Sequence, residues 1–172
     1  MAKEMSKPTD LNGETIKRIG GYLNRVVPIV DETGKVVQHV LKPLMVEFRP
    51  RDLMQVIVGA SVLAVPVAFT EETWTLGSEL ALVNVLFLSA LSILFISLYV
   101  YYNFYRFHLR GNLFEYVKRV SSIYLVSLFI VALLLSIIGR CPWSTELSVA
   151  IKRVLIVAFP ASMSAAVSDN LK

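Results

Sequence analysis

The sequence predicts an all-α membrane protein, a four-transmembrane-helix bundle with a short N-terminal cytoplasmic β-hairpin region. Hydrophobic residues make up 55% of the 172 residues, and the mean hydropathy is +0.62; an ordinary soluble domain contains roughly 45–50% apolar residues. The apolar residues lie in long blocks after residue 52, whereas the first 52 residues hold 16 of the 30 charged residues. Each block approaches the ~20 residues that a helix needs to cross a bilayer.

The N-terminal region divides into a tail and a hairpin region. Residues 1–19 are predicted to form a disordered tail, because the segment begins with a polar and charged sequence that lacks periodicity. This composition also excludes a cleaved signal peptide, which needs an early apolar run. Residues 20–50 are predicted to form the β-hairpin region, and an internal apolar segment is expected to drive membrane insertion.

Two valine-rich segments flank a turn-prone sequence in the hairpin region. Residues 25–30 and 36–41 lie on either side of the sequence DETGK, which predicts two strands joined by a turn. Residues 44–48 could add a third strand. Pro28 and Pro43 favour the edges of a sheet, because proline cannot donate a hydrogen bond to a neighbouring strand.

Four apolar blocks define a transmembrane domain over residues 51–172. The predicted spans are residues 53–70, 80–101, 120–138 and 147–167. Pro50 suits the start of the first helix, where its missing N–H would be unpaired anyway. The second and third spans contain no charged side chain. The fourth carries Lys152 and Arg153 in its first two turns and Pro160 near its middle, so it is predicted to be short, tilted or kinked.

The charges of the connections predict the orientation, because insertion retains lysine and arginine on the cytoplasmic side. Basic residues precede the first span and occupy the connection between the second and third: Lys35, Lys42, Arg49, Arg51, Arg106, Arg110, Lys118 and Arg119. The connection after the first span is acidic, with Glu71, Glu72 and Glu79. We therefore expect a multi-pass protein of the cell (inner) membrane with both termini cytoplasmic, and only Lys152 and Arg153 oppose this orientation.

Aromatic residues at the predicted span ends are consistent with this orientation. Trp74 and Trp143 fall at predicted outer ends, and Tyr101 and Tyr102 fall at the inner end of the second span. Tryptophan and tyrosine favour the interface, where an apolar ring and a polar group are both accommodated. These four residues are predicted to anchor the protein in the bilayer.

Two segments of the membrane part resemble a known family. The string GASVLAVPVAFTEETW at residues 59–74, with PAS and AAVSD inside residues 160–169, resembles a family of small integral membrane proteins called domain of unknown function 2391. The resemblance covers the membrane part only. It implies a four-helix membrane architecture with a Thr-Glu-Glu-x-Trp corner, so the N-terminal hairpin region looks like an addition. It implies no activity.

Adjacent carboxylates follow the first span, and two cations enter the fourth. Glu71 and Glu72 would be costly at the membrane boundary unless water, a cation or a basic partner compensates them. Lys152 and Arg153 are expected in the same outer leaflet, so a charge pair between the two sets is one hypothesis. The alternatives are that all four groups extend to the headgroups, or that they form an ion or proton site.

Small residues recur on two of the predicted helices. Ala60, Ala64 and Ala68 are spaced every fourth residue on the first span, and Ala161 and Ala165 lie on the fourth. Such spacing favours close helix packing in lipid through van der Waals contact, so the two faces are expected to pack together. The alternative is a water-filled path lined by Asn84, Ser89, Ser92, Ser97, Ser162 and Ser164.

The charge and the motifs exclude several classes of function. The net charge of +4 and the pI near 9.3 are explained by basic cytoplasmic connections, so we expect no nucleic-acid binding. Cys141 is the only cysteine, which excludes an internal disulfide or a cysteine metal site. His39 and His108 accompany no catalytic or metal-binding motif. We therefore expect no enzyme activity, no cofactor and no metal.

The bilayer is the expected partner, together with further copies of the chain. Anionic lipid headgroups are a second possible partner, because the second connection contains Arg106, His108, Arg110, Lys118 and Arg119; the alternative is that these residues only set the orientation. The sequence favours an oligomeric ion or proton channel or transporter, with Glu71 and Glu72 at the outer mouth and Asp169 at the inner. The other hypothesis is a non-conducting scaffold that recruits a partner through its N-terminal region.

Overall fold

The computed structural model describes residues 15–19, 22–30, 36–43, 48–106 and 112–171. The chain divides into two units, Met1–Glu47 and Phe48–Lys172. The first contains three strands, and the second contains the four apolar helices. The predicted all-α membrane fold is confirmed, because four helices are long and apolar enough to cross a bilayer.

The N-terminal unit contains an antiparallel sheet with the strand order β1-β2-β3. The strands are β1 (Thr15–Ile19), β2 (Tyr22–Val30) and β3 (Val36–Pro43). β2 and β3 pair with Val26 opposite Leu41, so the structure contains the predicted hairpin. Its turn and residues 44–47, which include most of the possible third strand, lie outside the described residues.

A further strand, β1, precedes the hairpin. The prediction of a disordered tail over residues 1–19 is wrong for Thr15–Ile19, which pairs with β2; residues 1–14 lie outside the described part. Pro28 occupies the central strand rather than an edge strand. Among the described residues, β1 pairs with β2 only as far as Val26, and the described partner of Pro28 is His39 of β3.

The membrane unit contains four long helices and one short helix. Their bounds are α1 (Pro50–Ala68), α2 (Glu71–Glu79), α3 (Leu82–Val100), α4 (Leu113–Ile137) and α5 (Leu147–Asp169). α3 continues into a π-helical turn over Tyr101–Tyr105. The acidic connection predicted as a loop is largely helical, because Glu71 and Glu72 suit the first turn of α2. α4 begins seven residues before the predicted span at 120, which brings Arg119 into the helix.

α5 is the central helix of the bundle. It contacts α1, α2, α3 and α4, and half of its most apolar segment is buried, against 22% for α3. α1 packs most extensively against it. Because the chain reverses direction between successive long helices, the start of α1, the end of α3, the start of α4 and the end of α5 lie together. We call this the Arg119 end and the opposite one the α2 end.

Candidate functional site

Arg119 lies on the face of α4 that packs into the bundle. The buried residues of α4 follow helical spacing: Arg119, Val120, Ile123, Ser127, Val131 and Leu135. Side chains three or four residues apart share a helix face, so Arg119 points at neighbouring helices rather than at lipid. Its side chain is 0% exposed, which is unusual for a charged residue and identifies the site.

Asp169 and Asp52 supply two carboxylates to this cation. Nε of Arg119 donates to Oδ2 of Asp169 at 2.7 Å, and Nη2 donates to Oδ1 at 3.1 Å, so the pair is bidentate. Nη2 also lies 3.5 Å from Oδ2 of Asp52. Both aspartates are buried. Since Asp169 ends α5 and Asp52 lies in the first turn of α1, the cluster joins three helices.

Aromatic side chains pack around the same guanidinium. The central carbon of Arg119 lies 3.8 Å from the ring centroid of Phe104 and 5.7 Å from that of Phe48, within the range of cation–π attraction. Tyr105 is fully buried and hydrogen-bonds to Arg119. Phe104 and Tyr105 belong to the π-helical turn, a feature often found at functional sites. The charged cluster is therefore enclosed by protein.

The charges and helix dipoles make Arg119 the essential member of the cluster. One guanidinium and two carboxylates carry a formal charge of −1 when all are ionised. The N–H of Arg49 donates to Oδ2 of Asp52 at 3.1 Å, and the positive end of the α1 dipole favours this carboxylate. Asp169 lies at the negative end of the α5 dipole, so it depends more strongly on Arg119. The arrangement can hold three helix ends together.

Lys152 and Arg153 do not pair with Glu71 and Glu72. Nζ of Lys152 donates to the carbonyl oxygens of Leu80 at 2.9 Å and Ser78 at 3.3 Å. No ion pair joins the two cations to the two glutamates among the residues that the structure describes. The charge-pair hypothesis is therefore wrong in this structure.

Backbone carbonyls replace the expected counterions at the α2 end. Arg153 donates through Nε to the carbonyl of Trp74 at 3.2 Å and through Nη1 to that of Arg140 at 2.7 Å. The last carbonyls of a helix lack internal partners and carry partial negative charge, which favours the contacts of Lys152 with Ser78 and Leu80 at the C-terminus of α2. Lys152 and Arg153 together fasten α2 to α5. A Cβ added to Gly77 would lie only 2.2 Å from Cγ of Arg153, which shows how closely the two helices approach.

The carboxylates proposed for an ion path lie in unlike surroundings. Glu71 and Glu72 are exposed in the first turn of α2 and line a shallow surface depression with Thr75 and Leu76. The expected inner carboxylate, Asp169, is 0% exposed and bonded to Arg119, so the prediction that it opens an inner mouth is wrong in this structure.

Four of the five serines proposed to line a water-filled path form hydrogen bonds within the protein. Ser92 of α3 and Ser162 of α5 are fully buried, and their hydroxyl oxygens lie 2.7 Å apart. Ser89 donates to the carbonyl of Val85 four residues earlier at 3.0 Å, and Ser97 is hydrogen-bonded to Tyr116. Asn84 is exposed and Ser164 half-buried. The structure thus separates these side chains instead of collecting them along one path.

The alanine faces of α1 and α5 lie in the packed part of the bundle. Alanines at the spaced positions are all 0% exposed: Ala60, Ala64, Ala68, Ala161 and Ala165. Ala64, Ala68 and Ala161 belong to one hydrophobic cluster with residues of α4. A Cβ added to Gly59 would lie 2.4 Å from the side chain of Ser168. Small side chains therefore permit this close approach.

The four aromatic residues predicted as anchors have varied partners. Nε1 of Trp74 donates to the carbonyl of Ala68 at 2.8 Å, and Nε1 of Trp143 donates to Oγ of Ser136 at 2.8 Å. Tyr101 and Tyr102 pack edge to face with ring centroids 5.8 Å apart. Arg140 also lies 3.7 Å from the Trp74 ring centroid, so Trp74 connects α1, α2 and the connection after α4.

The described residues contain no cluster of metal-binding side chains. No group of three or more histidine, cysteine, aspartate or glutamate residues could hold a metal in the part of the chain that the structure describes. Cys141 is half-buried in the connection between α4 and α5, where burial raises the pKa of its thiol while the charge of Arg153 acts in the opposite direction.

Sequence reasoning missed two of the three residues in the charged cluster. Hydropathy alone begins the third span at Val120, which places Arg119 in a basic connection, and the sequence around Asp52 indicates only the start of a helix. The helical spacing from Leu135 back through Ile123 provides the signal that identifies Arg119, since it continues to position 119. No comparable sequence signal identifies Asp52 as its partner.

Comparison with known proteins places the chain in a sequence family. The family described as "Putative integral membrane protein (DUF2391)" matches residues 31–169, which confirms the resemblance. The match begins before β3, so the prediction that the whole hairpin region is an addition to the family is wrong. No curated protein and no solved structure matches the chain.

Proposed function

Since this chain belongs to the DUF2391 family of integral membrane proteins, we propose that it is a non-conducting membrane scaffold that recruits a protein partner through its N-terminal sheet. The observation that carries the proposal is the closed packing of α5 against its neighbours. A channel needs a polar path through its membrane domain, whereas a scaffold needs a rigid anchor. The close packing of the described helices supports a rigid anchor.

The centre of the bundle supports this proposal. Ala64, Ala68 and Ala161 bring α1 and α5 together, and Val131 and Leu135 of α4 fill the space beside them, all at 0% exposure. Tightly packed apolar side chains leave little room for water, and an ion in such surroundings would face a large desolvation cost. This packing favours structural support over conduction.

The Arg119 cluster supports the same function from one end of the bundle. Arg119 bonds to Asp169 of α5 and lies near Asp52 of α1, which restrains the helix that follows the N-terminal sheet in sequence. Breaking a buried ion pair costs several kcal/mol, typically about 3–5. The cluster would therefore give the start of α1 a defined position, as a platform for binding requires.

The proposed orientation places the Arg119 end on the cytoplasmic side of the cell (inner) membrane, with both termini on that side. Support comes from the basic residues at the start of α1, after α3 and in the first turns of α4, including Arg49, Arg51, Arg106 and Lys118. Under this proposal the N-terminal sheet meets cytoplasmic partners. The proposal includes no enzyme activity.

An ion or proton channel or transporter is the second candidate. Ionisable residues within transmembrane helices often mark transport pathways, and Arg119, Asp52 and Asp169 are such residues. Because a single bundle is tightly packed at its centre, conduction would require several copies of the chain or a path between subunits. A homo-oligomer is therefore part of this candidate but is not required by the scaffold.

A liposome flux assay separates the candidates. The full chain would be reconstituted into phosphatidylcholine and phosphatidylglycerol vesicles with an enclosed pH dye, and proton influx would be followed under an imposed membrane potential. We expect vesicles with the protein to take up protons no faster than protein-free vesicles. Vesicles with gramicidin serve as the conducting control. Flux that rises with protein content and falls in Glu71→Gln or Glu72→Gln, two variants at exposed positions, would reject the scaffold and favour a channel.

Site-specific photo-crosslinking in cells tests partner recruitment. Ile29 of β2 is 45% exposed and would carry a benzophenone amino acid; Phe129, exposed on the membrane face of α4, would carry the matched control. We expect one protein adduct of defined mass from position 29 and none of that mass from position 129. Equal adduct patterns at the two positions, or no adduct at position 29, would contradict recruitment by the sheet.

A further inference from the structure

We infer that the crevice between α3 and α5 binds one acyl chain of a phospholipid from the surrounding bilayer. The crevice has a volume of about 200 Å³ and is lined almost entirely by apolar atoms. Its lining residues are Phe95, Ile96, Tyr99, Met163, Ala166 and Val167. The inference is independent of whether the protein is a scaffold or a channel.

The shape of the crevice suits a narrow chain. Ile96 and Ala166 form its floor and are only 1% and 2% exposed, whereas Phe95 and Val167 are substantially exposed beside it. Phe95 also packs against Phe159, with ring centroids 6.4 Å apart, one turn further toward the α2 end. A furrow with a small residue in its floor admits a hydrocarbon chain that a flat helix surface would not enclose.

The surrounding medium determines the occupant. Both walls belong to helices that cross the bilayer, Leu82–Tyr105 and Leu147–Asp169, so the medium beside the crevice is hydrocarbon. An empty furrow would forfeit van der Waals contacts, and water has too few polar partners there to replace them. A bilayer acyl chain supplies those contacts without leaving its own medium.

A polar group lies at the Arg119 end of the crevice. Nδ2 of Asn170 donates to Oδ1 of Asn103 at 3.2 Å and to the hydroxyl oxygen of Tyr99 at 3.4 Å. Nδ2 of Asn103 donates to the carbonyl of Tyr99 at 2.8 Å. The hydroxyl hydrogen of Tyr99 and the second amide hydrogen of Asn103 are not used within this trio. They suit the ester and phosphate oxygens of a phospholipid.

Photolabelling of the full chain tests the inference. The protein would be reconstituted into phosphatidylcholine vesicles containing a phosphatidylcholine analogue with a diazirine midway along one acyl chain, and labelled residues would be mapped by peptide mass spectrometry. We expect several-fold more label at Met163 than at Phe129, which is exposed on α4 outside the crevice. Equal labelling of Met163 and Phe129 would overturn the inference.

A variant that fills the crevice, compared with one that changes α3 elsewhere, tests the same inference. Ala166→Leu places a larger side chain in its floor, and the label at Met163 is expected to fall several-fold; Ala90→Leu, on an exposed face of α3, is expected to leave it unchanged. If Ala166→Leu fails to fold, Val167→Trp places an indole across the mouth and should lower the label similarly. Labelling of Met163 that persists in a folded filling variant would overturn the inference.

Discussion

The two ends of the bundle both hold buried cations, but they neutralise them differently. At the Arg119 end, Arg119 meets carboxylates of Asp169 and Asp52. At the α2 end, Lys152 and Arg153 meet backbone carbonyls. A fully enclosed guanidinium needs ionised partners, because desolvation of an unpaired charge is very costly. Lys152 lies close to the C-terminus of α2, where it can use the carbonyls and the dipole of that helix.

The largest effect is expected from removing the cation at the Arg119 end. Arg119→Met leaves two carboxylates buried without it, so the free energy of unfolding should fall by about 3–5 kcal/mol. Denaturant unfolding in detergent micelles, followed by circular dichroism, measures this loss. Lys118→Met is the control, because Lys118 is exposed and its pair with Glu115 at 3.6 Å is a surface pair; equal losses would contradict a special role for Arg119.

The two aspartates are expected to differ in the same assay. Asp169→Asn should approach the Arg119→Met loss, since Asp169 accepts two hydrogen bonds from Arg119 at the unfavourable end of the α5 dipole. Asp52→Asn should lower the free energy of unfolding by at least about 1 kcal/mol less than Asp169→Asn does. The contact of Asp52 with Arg119, at 3.5 Å, is longer than those of Asp169, and the amide oxygen of an asparagine can still accept from the N–H of Arg49. The reverse order would show that Asp52 is the principal counterion.

A smaller loss is expected at the α2 end. Lys152→Met removes two charge-assisted hydrogen bonds to carbonyls of Ser78 and Leu80 and should cost about 1.5–3 kcal/mol. Because Glu71 does not contact Lys152, the losses of Lys152→Met and Glu71→Gln should add to within about 0.5 kcal/mol in the double variant. A larger coupling energy would restore the charge-pair hypothesis.

The packing of α2 on α5 can be tested at Gly77. Gly77→Ala places a Cβ against Arg153, and accommodating it should cost about 1–3 kcal/mol. Arg153→Ala removes the obstructing side chain, so the double variant should lose less than the sum of the two single losses. The free energy of unfolding of the two single variants and the double variant would be measured. If the two single losses add exactly in the double variant, the contact between position 77 and Arg153 is contradicted.

The smallest effect is expected midway between the two ends, where no charge is involved. Ser92→Ala and Ser162→Ala each remove one side of the hydrogen bond between α3 and α5. A double-variant cycle should give a coupling energy of about 0.6 kcal/mol, the average for such bonds within membranes. A coupling energy as large as that of Arg119 with Asp169 would mean that charge is not what distinguishes the Arg119 end.

Hydropathy predicted the helices more accurately than the contacts of their charged residues. The absence of charged residues identifies the second and third spans directly. It also begins the third span at Val120, which places Arg119 in the connection between these spans instead of in the helix. The acidic segment after α1 was read as a loop because Glu71 and Glu72 are charged, although acidic residues also stabilise a helix N-terminus. A hydropathy window measures how apolar a segment is, and it does not record which face a flanking charge occupies.

The amino-acid sequence by itself determined that the chain crosses a membrane four times, because only long apolar helices satisfy their backbone hydrogen bonds within lipid. It also determined the family and the close-packing potential of the alanine positions. Only the tertiary structure decided which groups neutralise each cation. Asp52, Arg119 and Asp169 lie far apart in the chain, and their meeting depends on how α1, α4 and α5 pack, which no local sequence pattern specifies.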